Sequence, residues 1–206
     1  MLNEKKPNIF KRIWHWFRSP SKLAVGTLLI IGFIAGVVGW VGFNYGLEQT
    51  NTEEFCVSCH SKDVYQEYIH TVHYQNSAGI KASCPDCHVP HQFIPKIVRK
   101  IKAAREVYAH FMGYTDTTEK FNARRLHMAE REWERLKENN SQECRNCHNF
   151  ENMDFTRQRP VAARMHRLAI EQGKTCIDCH KGIAHQLPDM HGLPPTFSNI
   201  RSEKEQ

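Results

Sequence analysis

CVSCH at residues 56–60, CPDCH at 84–88, CRNCH at 144–148 and CIDCH at 176–180 decide how this chain folds. All eight cysteines of the 206 residues lie in these four C-x-x-C pairs: Cys56/Cys59, Cys84/Cys87, Cys144/Cys147 and Cys176/Cys179. A histidine follows each second cysteine at once: His60, His88, His148 and His180. This is the attachment signal for c-type haem. Two thiols add to the vinyl groups of the macrocycle, and the two intervening residues give the matching reach. The adjacent imidazole then meets the iron from the proximal side. Zinc sites also use C-x2-C knuckles, but they do not require histidine after every second cysteine. Disulfides within C-x-x-C would make a redox motif rather than a scaffold. The residues therefore point to four covalently bound haem c groups.

The composition agrees. Hydrophobic residues make up 40% and charged residues 24%, but the apolar ones are unevenly placed. The uncharged stretch Leu23 to Leu47 takes a large share of them. The remainder is poor in Leu, Ile and Val, and a core that thin needs a staple. Macrocycles supply one, so a conventional enzyme with a purely protein core is excluded. Four Trp, six Tyr and eleven Phe argue against disorder. The expected fold is mainly α: one transmembrane helix followed by a small haem-packed multihaem domain.

Residues 23–43, LAVGTLLIIGFIAGVVGWVGF, contain no charge and no proline. At about 1.5 Å per residue they cross a hydrocarbon core of about 30 Å. Trp14, Trp16 and Phe17 on one side, and Trp40 and Tyr45 on the other, suit interfacial anchoring. A cleaved signal peptide would have a shorter apolar region and a small-residue cleavage site. Residues 1–22 net +5, whereas Glu48, Glu53 and Glu54 follow the span. The positive-inside rule places the N-terminus in the cytoplasm and the cysteine-bearing part in the periplasm. The layout expected is a basic tail at 1–22, an anchor at 23–47, a haem domain at 48–187 and a loosely ordered tail at 188–206. A second basic cluster, residues 96–112, nets +4. Both clusters adjoin apolar residues, which favours anionic lipid over nucleic acid.

The motifs are spaced by 28, 60 and 32 residues, which sets two close pairs apart. The flanks of the second motif in each pair match. His73 lies 11 residues before Cys84, and His166 lies 10 before Cys176. Gly79 and Lys81 precede one motif, Gly173 and Lys174 the other. His91 follows His88, and His185 follows His180. This reads as a duplicated di-haem unit. His73, His91, His166 and His185 are the distal-ligand candidates, giving irons with histidine on both axial sides. His15, His70, His110, His127 and His191 break the pattern and read as interfacial, surface or packing residues.

Between the pairs, Lys96 to Met112 reads as a helix with Ile97, Ile101, Ala104, Tyr108 and Phe111 on one face. A basic amphipathic helix of this kind suits a membrane surface. Asp116 with Glu119 resembles a capping box opening a second helix that runs to about Asn139. Its inward face is expected to carry Asn122, Leu126, Ala129, Trp133 and Leu136, with its charges in solvent.

An N-terminal anchor followed by four C-x-x-C-H motifs in a two-plus-two arrangement resembles the NapC/NirT family of membrane-anchored tetrahaem quinol dehydrogenases. NTEEFCVSCH, CPDCHVPH, NNSQECRNCHNFENMD and TCIDCHKGIAHQLPDM are similar to its NapC subgroup. That resemblance implies oxidation of menaquinol or ubiquinol in the bacterial inner membrane. Electrons would pass to a periplasmic reductase, the nitrate reductase with its small cytochrome subunit. Relatives feed nitrite reductase or act as periplasmic electron hubs. One that feeds trimethylamine N-oxide reductase has a further C-terminal haem domain, which a chain ending at 206 is expected to lack. The resemblance also implies a quinol site with Lys100 and Glu106 as its lysine and acid. A lysine can hydrogen-bond a quinone oxygen and a carboxylate can take a proton. Many relatives carry Met two residues after the first motif histidine, where this chain has Lys62. The axial ligands of the first haem therefore stay open between His60, Lys62 and an open side. An electron conduit is the expected role. A terminal reductase acting on an open haem is the competing one.

Overall fold

The computed structural model describes residues 8–60 and 63–190, the side chains of Phe17 and His60 excepted. Lys62, His191 and most of the expected C-terminal tail lie outside the described residues. The chain divides into two compact units, one ending at residue 48 and one beginning at residue 49.

The first unit is two helices. Helix α1, Ile9–Arg18, places Ile9, Phe10, Ile13, Trp14 and Trp16 on one arc and Lys11, Arg12, His15 and Arg18 on the other. The tail expected at 1–22 is thus helical over these residues. Ser19 closes it, its Oγ donating to the Trp16 carbonyl at 2.6 Å, and Pro20 follows. Helix α2, Val25–Gln49, has a mean hydropathy of 2.2 in its most apolar window and no buried residue. Its 25 residues reach about 37 Å, long and apolar enough to cross a membrane. It carries the anchor read from the sequence.

The second unit is a set of short helices strung between two longer ones. In order they are α3 Glu53–His60, α4 Val64–Tyr68, α5 Cys84–His88, α6 Phe93–Phe111, α7 Thr118–Glu138, α8 Gln142–Arg145, α9 Pro160–Glu171 and α10 Cys176–Cys179. Single 3-10 turns occupy Phe150–Asn152 and Phe155–Arg157. No strand occurs among the described residues. The fold is mainly α, as expected.

Helix α6 begins three residues before the expected Lys96. Pro95 falls in its first turn, where a missing N–H costs nothing. Its apolar face points outward: Ile101 is 68% and Phe111 82% exposed, while Arg99 turns in to bond the His88 carbonyl at 3.2 Å. Helix α7 is capped by Thr117, whose Oγ1 accepts from Lys120 N at 3.3 Å, and not by Asp116. Asp116 instead takes the Lys120 ammonium at 2.7 Å. Asn122 is exposed, whereas Arg125, Glu132 and Arg135 turn inward beside Leu136. The polar face of α7 is therefore only partly solvated.

Among the described residues the buried apolar side chains are Tyr68, Leu136 and Ile177. Three side chains cannot hold together a unit of this size by burial alone. Polar ties are among the long-range contacts. Ser141, fully buried at φ 51°, follows Asn140 at φ 57°, and its Oγ accepts from Ile177 N at 3.2 Å. That bond fixes α10 against the turn between α7 and α8.

Candidate haem and quinol sites

Each motif is built around a single helical turn. Cysteines at i and i+3 lie on one side of such a turn, and a histidine at i+4 lies over the first of them. The bonds from His148 N to the Cys144 carbonyl, 2.8 Å, and from His180 N to the Cys176 carbonyl, 2.9 Å, close that turn. Both thiols and the imidazole can therefore address one planar ligand.

The second motif of each pair carries its own helix cap. Asp86 Oδ2 accepts from Ser83 N at 2.7 Å and Ser83 Oγ at 2.6 Å. Asp178 Oδ2 accepts from Thr175 N at 2.8 Å and Thr175 Oγ1 at 3.0 Å. The sequence signal is Ser or Thr before the first cysteine with Asp before the second, a capping-box variant. Gly79 and Gly173 ahead of them both adopt left-handed backbone, at φ 68° and 63°. The pairs also close alike. The Cys84 thiol hydrogen-bonds Cys56, and the Cys144 thiol hydrogen-bonds Cys176. Those bonds lower Cys56 and Cys176 to about 6 against the opposing effect of burial.

The eight cysteines are not equally enclosed in the protein chain. Cys59 and Cys147 are exposed, whereas Cys56, Cys84, Cys87, Cys144, Cys176 and Cys179 are half-buried. Cys59 Sγ lies 3.8 Å from Ser58 Oγ in α3, and Cys147 N bonds the Cys144 carbonyl at 3.2 Å just after α8. A thioether to the edge of a macrocycle requires reach and not burial, so both thiols still suit attachment.

Three of the four distal candidates face a motif histidine. The ring centroids of His73 and His148 are 6.3 Å apart, those of His185 and His88 6.1 Å, and those of His166 and His180 5.9 Å. Two imidazoles on opposite sides of one iron need about 6 Å, since each metal–nitrogen bond takes about 2 Å and each ring centre lies about 1 Å beyond. Both rings contain the bond axis, so any angle between their planes is allowed. The buried Nδ1 atoms of His73 and His185 have no hydrogen-bond partner among the described residues. Burial, then the neighbouring His148, lowers His73; burial, then His88, lowers His185 to about 4. Burial likewise lowers His180, with His166 next. Neutral imidazoles are what a metal requires. Thiol pairs, facing imidazoles and a thin protein core together fit haem c.

His91 does not join this set. It is more than half exposed, its Nε2 lies 3.7 Å from Asp86 Oδ1, and its Nδ1 lies 3.4 Å from Asn146 Nδ2. The flanking repeat thus does not give equivalent histidines equivalent neighbours. His73 precedes the second motif but faces the third, whereas His166 faces the motif that it precedes.

Lys100 Nζ donates to the Thr50 carbonyl at 2.6 Å and to Thr50 Oγ1 at 3.0 Å. Thr50 directly follows Gln49, the last residue of α2. Glu106 is six residues further along α6, which puts it about 120° round the helix. It meets Arg99 and Arg131, each at 3.4 Å. The structure does not bring Lys100 and Glu106 to one point.

Charged side chains of α7 expected in solvent turn inward. Glu132 accepts from His88 Nδ1 at 2.9 Å and from Arg135 Nη2 at 2.7 Å. Burial would raise its carboxyl, but the bonds from His88 and Arg135 outweigh that and hold it below the usual carboxylate range. Arg125 grips Glu67 in a two-pronged pair and also donates to the Gln186 carbonyl at 2.6 Å. The periodicity of α7 could have placed these residues inward, had charge not argued the other way.

Comparisons with known proteins agree with this geometry. The family model described as the NapC/NirT cytochrome c family, N-terminal region, matches residues 18–190. The cytochrome c-type protein NapC of Haemophilus influenzae is 63% identical over 96% of this chain and 99% of its own length. The denitrification system component NirT of Stutzerimonas stutzeri is 49% identical over 84% of this chain and 87% of its own. A solved structure, titled the cytochrome c nitrite reductase NrfHA complex bound to the HQNO inhibitor, matches with a TM-score of 0.43 at 24% identity. That match covers 82% of this chain and 93% of that one, and is too loose to establish a shared fold. With a family model over most of its length and a relative alike almost from end to end, the chain belongs to the NapC/NirT cytochrome c family and is a membrane-anchored cytochrome c.

Proposed function

We propose that this chain is a tetrahaem conduit that oxidises membrane quinol and passes the electrons to a periplasmic reductase, the periplasmic nitrate reductase. The observation that carries the reading is the set of three imidazole pairs at 5.9–6.3 Å. Iron held by histidine on both sides has no open position for substrate, so such sites relay electrons. That favours a conduit over a terminal reductase. The high identity to proteins named NapC supports this choice of partner.

In this reading the eight cysteines hold four haem c groups as two di-haem units. His88 and His185, His148 and His73, and His180 and His166 are the axial pairs of the second, third and fourth. His60 serves the first, whose other side is left to Lys62, to His91 or open. Haem c supplies a one-electron couple at each position. The paired thiols, Cys56 with Cys84 and Cys144 with Cys176, support close approach within each unit.

A quinol releases two protons with its two electrons. Lys100, which bonds the Thr50 carbonyl, hydrogen-bonds a quinol oxygen in this reading. Glu106, half-exposed and on another face, takes the proton onward to water. The outward apolar face of α6, flanked by Lys102 and Arg105, lies on the outer lipid surface. The basic residues before α2 keep the N-terminus cytoplasmic.

The test is quinol oxidation by the haem-loaded protein in liposomes, followed by absorbance. Lys100→Ala is expected to lower kcat/KM for a menaquinol analogue at least tenfold, mainly through KM. Glu106→Gln is expected to lower kcat. Both should keep full haem content. Wild-type haems that stay oxidised under excess quinol would overturn the proposal.

A further inference from the structure

Glu132 is the charged group closest to the motif histidines for which electron relay offers no role. One of its oxygens accepts from His88 Nδ1 at 2.9 Å and from Arg135 Nε and Nη2 at 3.1 and 2.7 Å. Its other oxygen lies 3.9 Å from Arg99 Nη2. Arg135 carries the network onward, with Nη2 to the Cys87 carbonyl at 2.9 Å and Nη1 to Glu143 at 2.7 Å. The Glu143 side chain is 1% exposed and also accepts from Asn139 Nδ2 at 2.7 Å. Two arginines and a buried anchor therefore hold the Glu132 carboxylate in place.

An ionised carboxylate can only accept, so His88 must donate from Nδ1. That fixes the tautomer and leaves Nε2 with its lone pair outward, as a metal ligand needs. Among the described residues, His148 and His180 meet no carboxylate. His166 places Nδ1 2.7 Å from Gln158 Oε1, a neutral acceptor. A charged acceptor draws the Nδ1 proton more strongly and raises the electron density at Nε2. An imidazole made more basic in this way favours oxidised iron. The charges of Arg99 and Arg135 balance those of Glu132 and Glu143. The cluster thus acts through the bond to His88 more than through its field.

We propose that Glu132 is a positioning residue that acts through His88 to set a low reduction potential at the second haem. The proposal rests on His88 being an axial ligand. It makes the potential at this position a property of α7, a helix that carries no haem motif.

The experiment is a spectropotentiometric titration of the haem-loaded full chain, with low-spin EPR spectra taken alongside. In Glu132→Gln, one of four one-electron components should move upward by about tenfold in its reduction equilibrium, which is about 59 mV. One low-spin signal should shift with it. Glu143→Gln removes the same charge from the network without touching His88, and should move that component by less than a third as much. An unmoved component, or an equal shift in Glu143→Gln, would overturn the proposal. If Glu132→Gln loads fewer haems, Glu132→Asp decides. It keeps the charge but withdraws the carboxylate by one methylene, and the same upward shift is expected; no shift refutes the proposal. A His88→Ala chain with unchanged low-spin spectra would sink the ligand reading itself.

Discussion

Arg125 ties the His185 segment to Glu67, and on the proposed axial pairing its removal should open one iron. Its guanidinium bonds both oxygens of Glu67 and also the Gln186 carbonyl. Gln186 N completes the ring by donating to Glu67 Oε2 at 2.8 Å. The two charged side chains are only 15% and 13% exposed. His185, which faces His88 at 6.1 Å, is the next residue. Breaking a buried pair by deleting one partner costs about 3–5 kcal/mol, because the other charge is left unpaired. At about 1.4 kcal/mol per tenfold, the lower figure raises the detached fraction of this segment by about a hundredfold. On the proposed tetrahaem reading with His185 as an axial ligand, Arg125→Ala should therefore move one haem in four from low-spin toward high-spin. Absorbance and EPR would read that change, with haem content measured on the same sample. Glu67→Gln should give a smaller change, since its amide still accepts from Arg125. A fully low-spin Arg125→Ala protein of wild-type stability would refute both the clamp and the role of His185.

Two further substitutions test the local structure. Tyr68 is buried, its ring meets Tyr74 edge-on at 5.3 Å, and its hydroxyl donates to the Ala82 carbonyl. Tyr68→Phe leaves that acceptor unmet and should cost about 1–2 kcal/mol, read as a lower denaturant midpoint. Gly173 ends α9 at φ 63°, with Lys174 N bonding the Ala169 carbonyl at 2.8 Å, and a Cβ there would meet nothing within 4 Å. Gly173→Ala should thus cost about 1 kcal/mol from backbone alone, and Gly173→Asn less, read in Tm of the haem-loaded protein.

What the sequence made legible was local. A haem-attachment motif is five residues long, and an uncharged apolar run declares a spanning helix by itself. Helices α6 and α7 followed from their apolar period. Their ends moved because a proline is accepted in the first turn and because Thr117 caps where Asp116 was expected. What stayed hidden depends on chain closure. His73 and His148 are far apart in sequence, and nothing local says that they face each other. The flanking repeat even suggested that His91 matches His185, yet only His185 reaches a motif histidine. Glu132, Arg135 and Arg125 looked solvated because charge usually is. Here the thin protein core leaves room for ion pairs to turn inward and hold the histidines. Lys100 and Glu106 sit at the positions that the family resemblance implies, but the helix sends them to different faces.

In the proposed function, electrons enter from quinol and leave to a periplasmic reductase. The most direct test places the haem-loaded chain in quinol-containing liposomes, with periplasmic nitrate reductase and nitrate outside, and follows haem absorbance and nitrite together. Haems should then be held partly reduced in the steady state, with nitrite formed at a rate that requires both quinol and this chain. Haems that stay oxidised, or nitrite formed no faster than in liposomes without the chain, would contradict it.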